Sequence, residues 1–132
     1  MLDNNLPPAL AESLNALSKT FDHSVHHLRS RFADDAPDIQ WIRELAEEGS
    51  WCIVTQDRLV RSKAEKEALR LSGLVTFVLK SGWSSLDYWD KAWQLTRWWP
   101  RIIDQGVGIA GPAAFGVPVR FSGRGQFEQY QL

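Results

Sequence analysis

The stretch WCIVTQDRLVRSKAEKEALRLSGLVTFVL, residues 51–79, decides the fold class of this chain. It opens and closes on two apolar runs, Trp51–Val54 and Leu74–Leu79. Runs that are apolar on both faces are typical of strands in parallel sheets covered by helices. Between them, Ser62 and Glu65 have the spacing of a capping box and a glycine ends the segment, which indicates a helix. Strand, helix and strand within about thirty residues form a βαβ unit, so we expect an α/β fold with a mostly parallel sheet.

Two amphipathic helices are predicted before this unit. The first follows two prolines and carries one apolar stripe, formed by Leu6, Leu10, Leu14 and Leu17. The second is DIQWIRELAEEG, Asp38–Gly49, which a glycine ends. Met1 and Leu2 leave room for only a stub of strand before Asp3, and Ser24–Leu28 is predicted as a short strand.

The bulk composition points to a single domain over residues 1–132, because 44% of the chain is hydrophobic. Fifteen basic and sixteen acidic residues give a net charge of -1. The chain as a whole therefore lacks the positive charge that is typical of nucleic-acid-binding proteins. Cys52 is the only cysteine, so neither a disulfide framework nor a multi-cysteine zinc site can form. We find no signal-peptide pattern and no apolar run of about 18 residues, so we expect a cytoplasmic protein without membrane association.

Three acids stand at comparable places in the predicted fold. Asp3 ends the stub, Asp38 begins the second helix, and Asp57 follows the strand at Trp51–Val54. In a doubly wound sheet these places lie at one edge, and carboxylates that converge there require protons or cations. An open site of oxygen ligands suits Mg²⁺ or Mn²⁺ and phosphodiester hydrolysis. Taken singly, Asp38 is equally explained as a helix cap and Asp57 as a turn residue.

Three segments in order carry a family resemblance: LDNNLPPALAESLNAL, DIQWIRELAEEG and the stretch at 51–79. Together they resemble a PIN-like domain, in the branch close to the VapC-type toxins of bacterial toxin–antitoxin pairs. The resemblance covers residues 1–80, and LDNNLPP and TQDR are its most specific parts. It implies a three-layer α/β/α sandwich with a central, mostly parallel sheet. It also implies a Mg²⁺- or Mn²⁺-dependent endoribonuclease that cleaves RNA and is bound by a cognate antitoxin.

The resemblance also assigns the site residues. It places the metal-binding and catalytic acids at Asp3, Asp38 and Asp57. Asn4 and Asn5, beside the first of them, are expected to bind the substrate. PIN nucleases often carry a fourth acid near the end of a later strand, and here that place holds Lys80 and Ser81. Asp87 or Asp90 could take the place of this acid only if the long helix starts near the site. The missing acid and the short first strand leave an alternative, which is a catalytically inactive PIN-like interaction module.

A basic cluster follows the third acid and consists of Arg58, Arg61, Lys63 and Lys66. These residues are expected to hold phosphates of an RNA strand beside the metal. The alternative is an exposed helix face that pairs with Glu65 and Glu67. The three histidines, at positions 23, 26 and 27, lack the spacing of a metal site and are interpreted as ordinary strand and loop residues.

The rest of the chain is predicted as a long tryptophan-rich helix over residues 84–104 and a Gly/Pro-rich tail over 106–132. Pro100 is expected to kink or end the helix, and VPVRF, Val117–Phe121, is predicted as an edge strand. The helix has two apolar stripes, one with Trp89 and Trp93 and one with Leu95, Trp99 and Ile102. A surface helix on a small domain buries only one apolar stripe against its own core. We therefore expect a homodimer in which this helix buries the second stripe, and the Gly/Pro-rich tail is the alternative that could bury it.

Overall fold

A computed structural model describes residues 1–56 and 62–132 of the chain. In that part, four strands form one sheet in the order β1-β2-β3-β4: β1 (Cys52–Thr55), β2 (Val75–Leu79), β3 (Ala113–Val117) and β4 (Glu128–Tyr130). The first three strands are parallel, and β4 is antiparallel to β3. The predicted α/β fold with a mostly parallel sheet is therefore confirmed.

Four α-helices accompany the sheet: α1 (Pro8–Ser18), α2 (Asp38–Glu48), α3 (Lys63–Ser72) and α4 (Tyr88–Gly108). Their ends follow the predicted signals. Proline starts α1, and Gly49 and Gly73, both with positive φ, end α2 and α3. Ser62 is the N-cap of α3, although its side chain makes no capping hydrogen bond.

The helices bury their apolar faces against opposite sides of the sheet. On one side, α1 and α4 pack through Leu14 and Leu95. On the other side, α2 and α3 pack through Ile42 and Leu69. Adjacent strand residues divide between the two sides, as β-pleating requires: Ile53 belongs to the α2–α3 core and Val54 to the α1–α4 core. This gives the three-layer sandwich.

The N-terminal stub extends the sheet by a single residue. Leu2 forms parallel bridges to Val54 of β1 and to His27. Its N–H donates to the carbonyl of His26 (2.7 Å), and its carbonyl accepts from the N–H of Leu28 (2.9 Å). The strand predicted over Ser24–Leu28 is reduced to one bridge, because the chain turns into a 3-10 helix at Leu28–Ser30.

Helix α4 lies four residues later in the chain than predicted, over Tyr88–Gly108 instead of 84–104, and it continues through Pro100. Pro100 lies on the exposed side of the helix, where water can bond the carbonyl that the proline leaves without its helical partner. The helix starts at Tyr88 because the carboxylate of Asp87 accepts from the N–H of Asp90 (2.8 Å) and caps it.

The tail supplies two strands, and neither is the predicted one. Strand β3 precedes the stretch Val117–Phe121 and ends at Val117, next to Pro118; the edge strand is β4. A Cβ at Gly116 would lie 2.5 Å from Oη of Tyr130, so any other residue here would force the Tyr130 ring to move. The tail also covers α4, since the rings of Phe121 and Phe127 lie 4.7 and 5.3 Å from that of Trp98.

Within residues 1–56 and 62–132, no helix combines the length and the apolar character that crossing a membrane requires.

Candidate functional site

Asp3 is a buried carboxylate at the carboxyl edge of the sheet, with 5% of its surface exposed. Its N–H donates to the carbonyl of Val54 (3.0 Å), which fixes the residue beside the end of β1. One carboxylate oxygen accepts from the N–H of Asn4 (2.6 Å) and the other from the hydroxyl of Thr55 (2.6 Å). Hydrogen bonds of this kind stabilise the charged form of a carboxylate.

Amide residues follow Asp3 and its partner Thr55 in the chain. Asn4 follows Asp3, and Gln56 follows Thr55 at the end of β1. Oδ1 of Asn5 accepts from the N–H of Gln56 (3.3 Å), which ties the loop after Asp3 to the strand end. Oδ1 of Asn4 and Oε1 of Gln56 are buried and accept no hydrogen bond from any residue that the structure describes. Buried carbonyl oxygens without a donor are uncommon and indicate a missing polar partner.

His27 holds the loop that follows Asp3. Its ring is 5% exposed, Nδ1 accepts from the N–H of Arg29 (3.1 Å), and Nε2 lies 2.6 Å from the carbonyl oxygen of Leu6. Because Nδ1 accepts, Nε2 must carry the hydrogen and donate to Leu6. The guanidinium of Arg29 also donates to the carbonyl of Asn4 (3.4 Å). His27 is thus a structural residue of this loop, as its ordinary loop interpretation predicted.

Asp38 is the first residue of α2, and its N-cap is Pro37. Its carboxylate accepts from Nε1 of the buried Trp41 (2.9 Å), so its side chain is turned along the helix and not simply into solvent. Among the described hydrogen bonds, none joins Asp38 to Asp3. Their convergence stays a prediction.

The third acid, Asp57, lies outside the described residues, as do Arg58 and Arg61. The other two members of the basic cluster lie in the first turn of α3, where Lys63 is exposed and Lys66 is half-buried. In the described ranges neither lysine forms a salt bridge, and the neighbouring Glu67 pairs with Arg70.

Lys80 and Ser81 follow β2 at the same edge, where the fourth acid is expected. Nζ of Lys80 lies 2.5 Å from Oε2 of Glu128, and this hydrogen bond raises the pKa of Lys80. The tail thereby brings a carboxylate to the edge, but one that a lysine neutralises. Asp87 is occupied in capping α4, and Asp90 is exposed in its first turn.

Asp3, Asn4 and Gln56 provide oxygen ligands of the type that Mg²⁺ and Mn²⁺ prefer. They are one carboxylate and two amide oxygens that accept no hydrogen bond from residues 1–56 and 62–132. In residues 1–56 and 62–132, no group of three or more His, Cys, Asp or Glu side chains is placed to hold a metal ion. The donor set therefore fits a divalent cation in chemical type, and a full set of acidic ligands requires Asp57, which follows Gln56 in the chain.

Sequence reasoning missed three residues of this region: Thr55, Gln56 and Glu128. Thr55 and Gln56 had a local signal, since they are the first polar residues after an apolar strand. Glu128 had none, because only the antiparallel pairing of β4 brings it to Lys80.

Comparison with known proteins gives one family. No curated protein and no solved structure matches the chain. The family described as "PIN like domain" matches residues 1–81, more than half of the chain, and this range ends just beyond β2, at the edge that holds Asp3. The chain therefore belongs to the PIN-like domain family.

Proposed function

We propose that the protein is a metal-dependent endoribonuclease, and the toxin component of a type II toxin–antitoxin pair. PIN-like domains are generally nucleases, so membership suggests a nuclease-type function. PIN nucleases also typically use divalent metals. Metal dependence, RNA as substrate and the toxin role are the parts that we add.

One observation carries the proposal. The buried carboxylate of Asp3 lies at the end of β1. The residues that follow Asp3 and its partner Thr55 in the chain carry two buried side-chain oxygens, Oδ1 of Asn4 and Oε1 of Gln56, which have no donor among the described residues. In open α/β sheets, ligands bind beyond the carboxyl ends of the strands. The two amide oxygens, which are buried and have no donor in the part of the chain that the structure describes, are suited to an external ligand.

The proposed roles follow from these positions. Asp3, Asp38 and Asp57 would hold Mg²⁺ or Mn²⁺, which when bound offsets negative charge on the phosphate oxygens during hydrolysis. Thr55 and the N–H of Asn4 hold the Asp3 carboxylate in a fixed orientation. Lys63 and Lys66, with Arg58 and Arg61, would bind backbone phosphates without reading the bases.

The direct test measures cleavage of single-stranded RNA with Mg²⁺ or Mn²⁺. We expect Asp57→Asn to abolish cleavage while circular dichroism shows an intact fold. The proposal would be wrong if this variant cleaved as fast as the parent. Asn4→Ala is a second variant, since it removes a side-chain oxygen without a described donor. It should weaken metal binding without lowering stability in metal-free buffer.

The second candidate function is an inactive interaction module. Lys80 in place of the fourth acid, already paired with Glu128, favours it. Mn²⁺ titration followed by thermal unfolding separates the two functions. Metal at about a hundred times its Kd should stabilise a metal-binding native state by about 2.7 kcal/mol. An unchanged Tm at millimolar Mn²⁺ would support the inactive module.

The toxin role has a separate test. Expression of the parent protein in a bacterial host should stop growth, and Asp57→Asn should not. Co-expression of the proposed antitoxin, sought as a small protein encoded beside this chain, should restore growth. Cleavage in vitro without growth arrest would leave the nuclease proposal standing and overturn the toxin role.

A further inference from the structure

Two tryptophans of α4 are exposed in a protein that buries four others. Trp41, Trp83, Trp98 and Trp99 are each at most 9% exposed. Trp89 and Trp93 are 78% and 61% exposed, and Tyr88 beside them is 51% exposed. Single exposed apolar side chains are common on proteins, whereas several large aromatic side chains exposed next to one another indicate a binding surface.

We propose that Trp89 and Trp93 form a stacking platform for unpaired bases of a single-stranded nucleic acid that enters the site at Asp3. This inference rests on the proposed nuclease function, because that function places a strand at the same edge of the sheet. The inference specifies the substrate as a strand whose bases are unpaired and can stack on the tryptophan rings.

The start of α4 is anchored at the carboxyl edge. The N–H of Lys80 and the indole N–H of Trp83 both donate to the carbonyl of Val117, at 3.0 and 2.8 Å. Val117 is the last residue of β3, and Tyr88 begins the helix five residues after Trp83. Since the stub, β1, β2 and β3 are successive neighbours in the sheet, Asp3 is about three strand spacings, roughly 14 Å, from the end of β3 at this anchor.

A second contact places the platform level with the loop after Asp3. Helices α1 and α4 lie on the same side of the sheet, and Nε1 of Trp99 donates to Oγ of Ser18 (3.0 Å). Counting back along each helix at about 1.5 Å per residue, Tyr88 lies about 16 Å before Trp99 and Pro8 about 15 Å before Ser18. Tyr88 is therefore level with the first turn of α1, which directly follows the Asp3 loop.

The spacing of the two rings suits separated bases. Residues four apart lie on one face of a helix with a rise of about 6 Å. Bases in a duplex are stacked about 3.4 Å apart and have no free faces, whereas bases of a single strand can spread onto protein rings. Trp89 is steadied by Tyr88, whose ring meets it edge-on at 5.3 Å between centroids.

The charges near the platform favour base contacts over phosphate contacts. Two acids, Asp87 and Asp90, and two cations, Lys91 and Arg97, lie along this part of α4. The guanidinium of Arg97 is 4.6 Å from the ring centroid of Phe121, so it is partly engaged within the chain. Because the charges balance, the contribution of the tryptophans should not depend on salt.

The test is binding of a fluorescent oligouridylate, a strand with little stacking of its own, in EDTA so that cleavage plays no part. We expect Trp89→Ala and Trp93→Ala each to weaken binding at least about five-fold, the lower limit for loss of one stacked base. The slope of log affinity against log salt should be unchanged. Phe21→Ala is the matched control, since Phe21 is 72% exposed but follows α1 at the end far from Asp3.

Several results would overturn the platform. They are absence of oligouridylate binding, equal affinity in the parent and both variants, and equal affinity for a duplex of the same length. The competing occupant is a second copy of the chain, as in the predicted homodimer. If light scattering showed a parent dimer that both substitutions dissociate, the rings would belong to that interface instead.

Tryptophan-dependent binding of the oligouridylate without cleavage in Mn²⁺ would overturn the proposed nuclease function and leave the platform standing.

Discussion

The hydroxyl of Thr55 donates a 2.6 Å hydrogen bond to Oδ2 of Asp3, 52 positions earlier in the chain. Both residues are buried, at 0% and 5% exposure. The bond joins the last residue of β1 to the loop after the stub and holds the carboxylate in one orientation at the edge of the sheet. A hydrogen bond to a charged group in such a place contributes more to stability than one between neutral groups.

Replacing Thr55 with valine keeps the shape of the side chain and removes its donor. We expect Thr55→Val to lose about 1.5–3 kcal/mol of unfolding free energy in urea titrations. Thr76→Val is the control in the neighbouring strand β2, because the Thr76 hydroxyl is buried and has no partner in the described chain. That change should be neutral or stabilising. Equal losses of unfolding free energy in the two variants would show that the hydrogen bond to Asp3 adds no stability of its own.

His27 should be required for the position of the Asp3 loop. His27→Gln cannot reproduce both ring contacts, with the carbonyl of Leu6 and the N–H of Arg29. The expected loss is about 2–4 kcal/mol, with faster hydrogen exchange at the amide of Arg29. His23→Gln, at a half-buried residue with no described side-chain hydrogen bond, should change stability much less. A similar loss in both variants would contradict this role.

Helix α4 approaches β1 so closely at Gly106 that a Cβ there would lie 2.7 Å from Sγ of Cys52. Gly106→Ala gains about 1 kcal/mol in helix propensity, but overpacking costs about 1–3 kcal/mol, so we expect no gain and up to about 2 kcal/mol of loss. Gly108→Ala has no atom within 4 Å of its new Cβ and should keep the gain. Cys52→Ala should relieve the clash, which a double-mutant cycle on urea unfolding measures. Additive effects would exclude the close contact.

Burial raises the pKa of the Cys52 thiol above its ordinary value of 9.0. Above about pH 9 the thiol in the unfolded chain therefore loses its proton while the folded one keeps it, so stability falls as pH rises towards the folded pKa. A Cys52→Ser variant lacks this titration and should lose less stability between pH 8 and 10. In the parent, absorbance of the thiolate should give a pKa above 9 and Ellman's reagent should react slowly until urea is added. A thiolate that forms below pH 9 in the folded protein would contradict this burial effect.

The fold class was predictable because its signals are local. The two apolar runs, the serine before α3 and the glycines after α2 and α3 act within a few residues of one another. The resemblance to a PIN-like domain could also be read from the sequence, and the family match over residues 1–81 confirms that part of it; the VapC-type branch stays a prediction. A weak local signal failed at Val117–Phe121, where the strand ends at Val117 instead of starting there. Of the two outcomes predicted at Pro100, the end of the helix is wrong, because α4 continues to Gly108.

What the sequence by itself determined about this protein is its βαβ core and the candidate acids, since both depend on short-range patterns of polarity. Only the tertiary structure decided which side chains meet at the edge. Thr55 reaches Asp3 because the stub and β1 pair in parallel, and Glu128 reaches Lys80 because β4 turns back along β3. It also decided that Trp98 is buried under the tail while Trp89 and Trp93 are exposed. The physical reason is that burial and hydrogen bonding depend on contacts between segments far apart in the chain, which local periodicity does not encode.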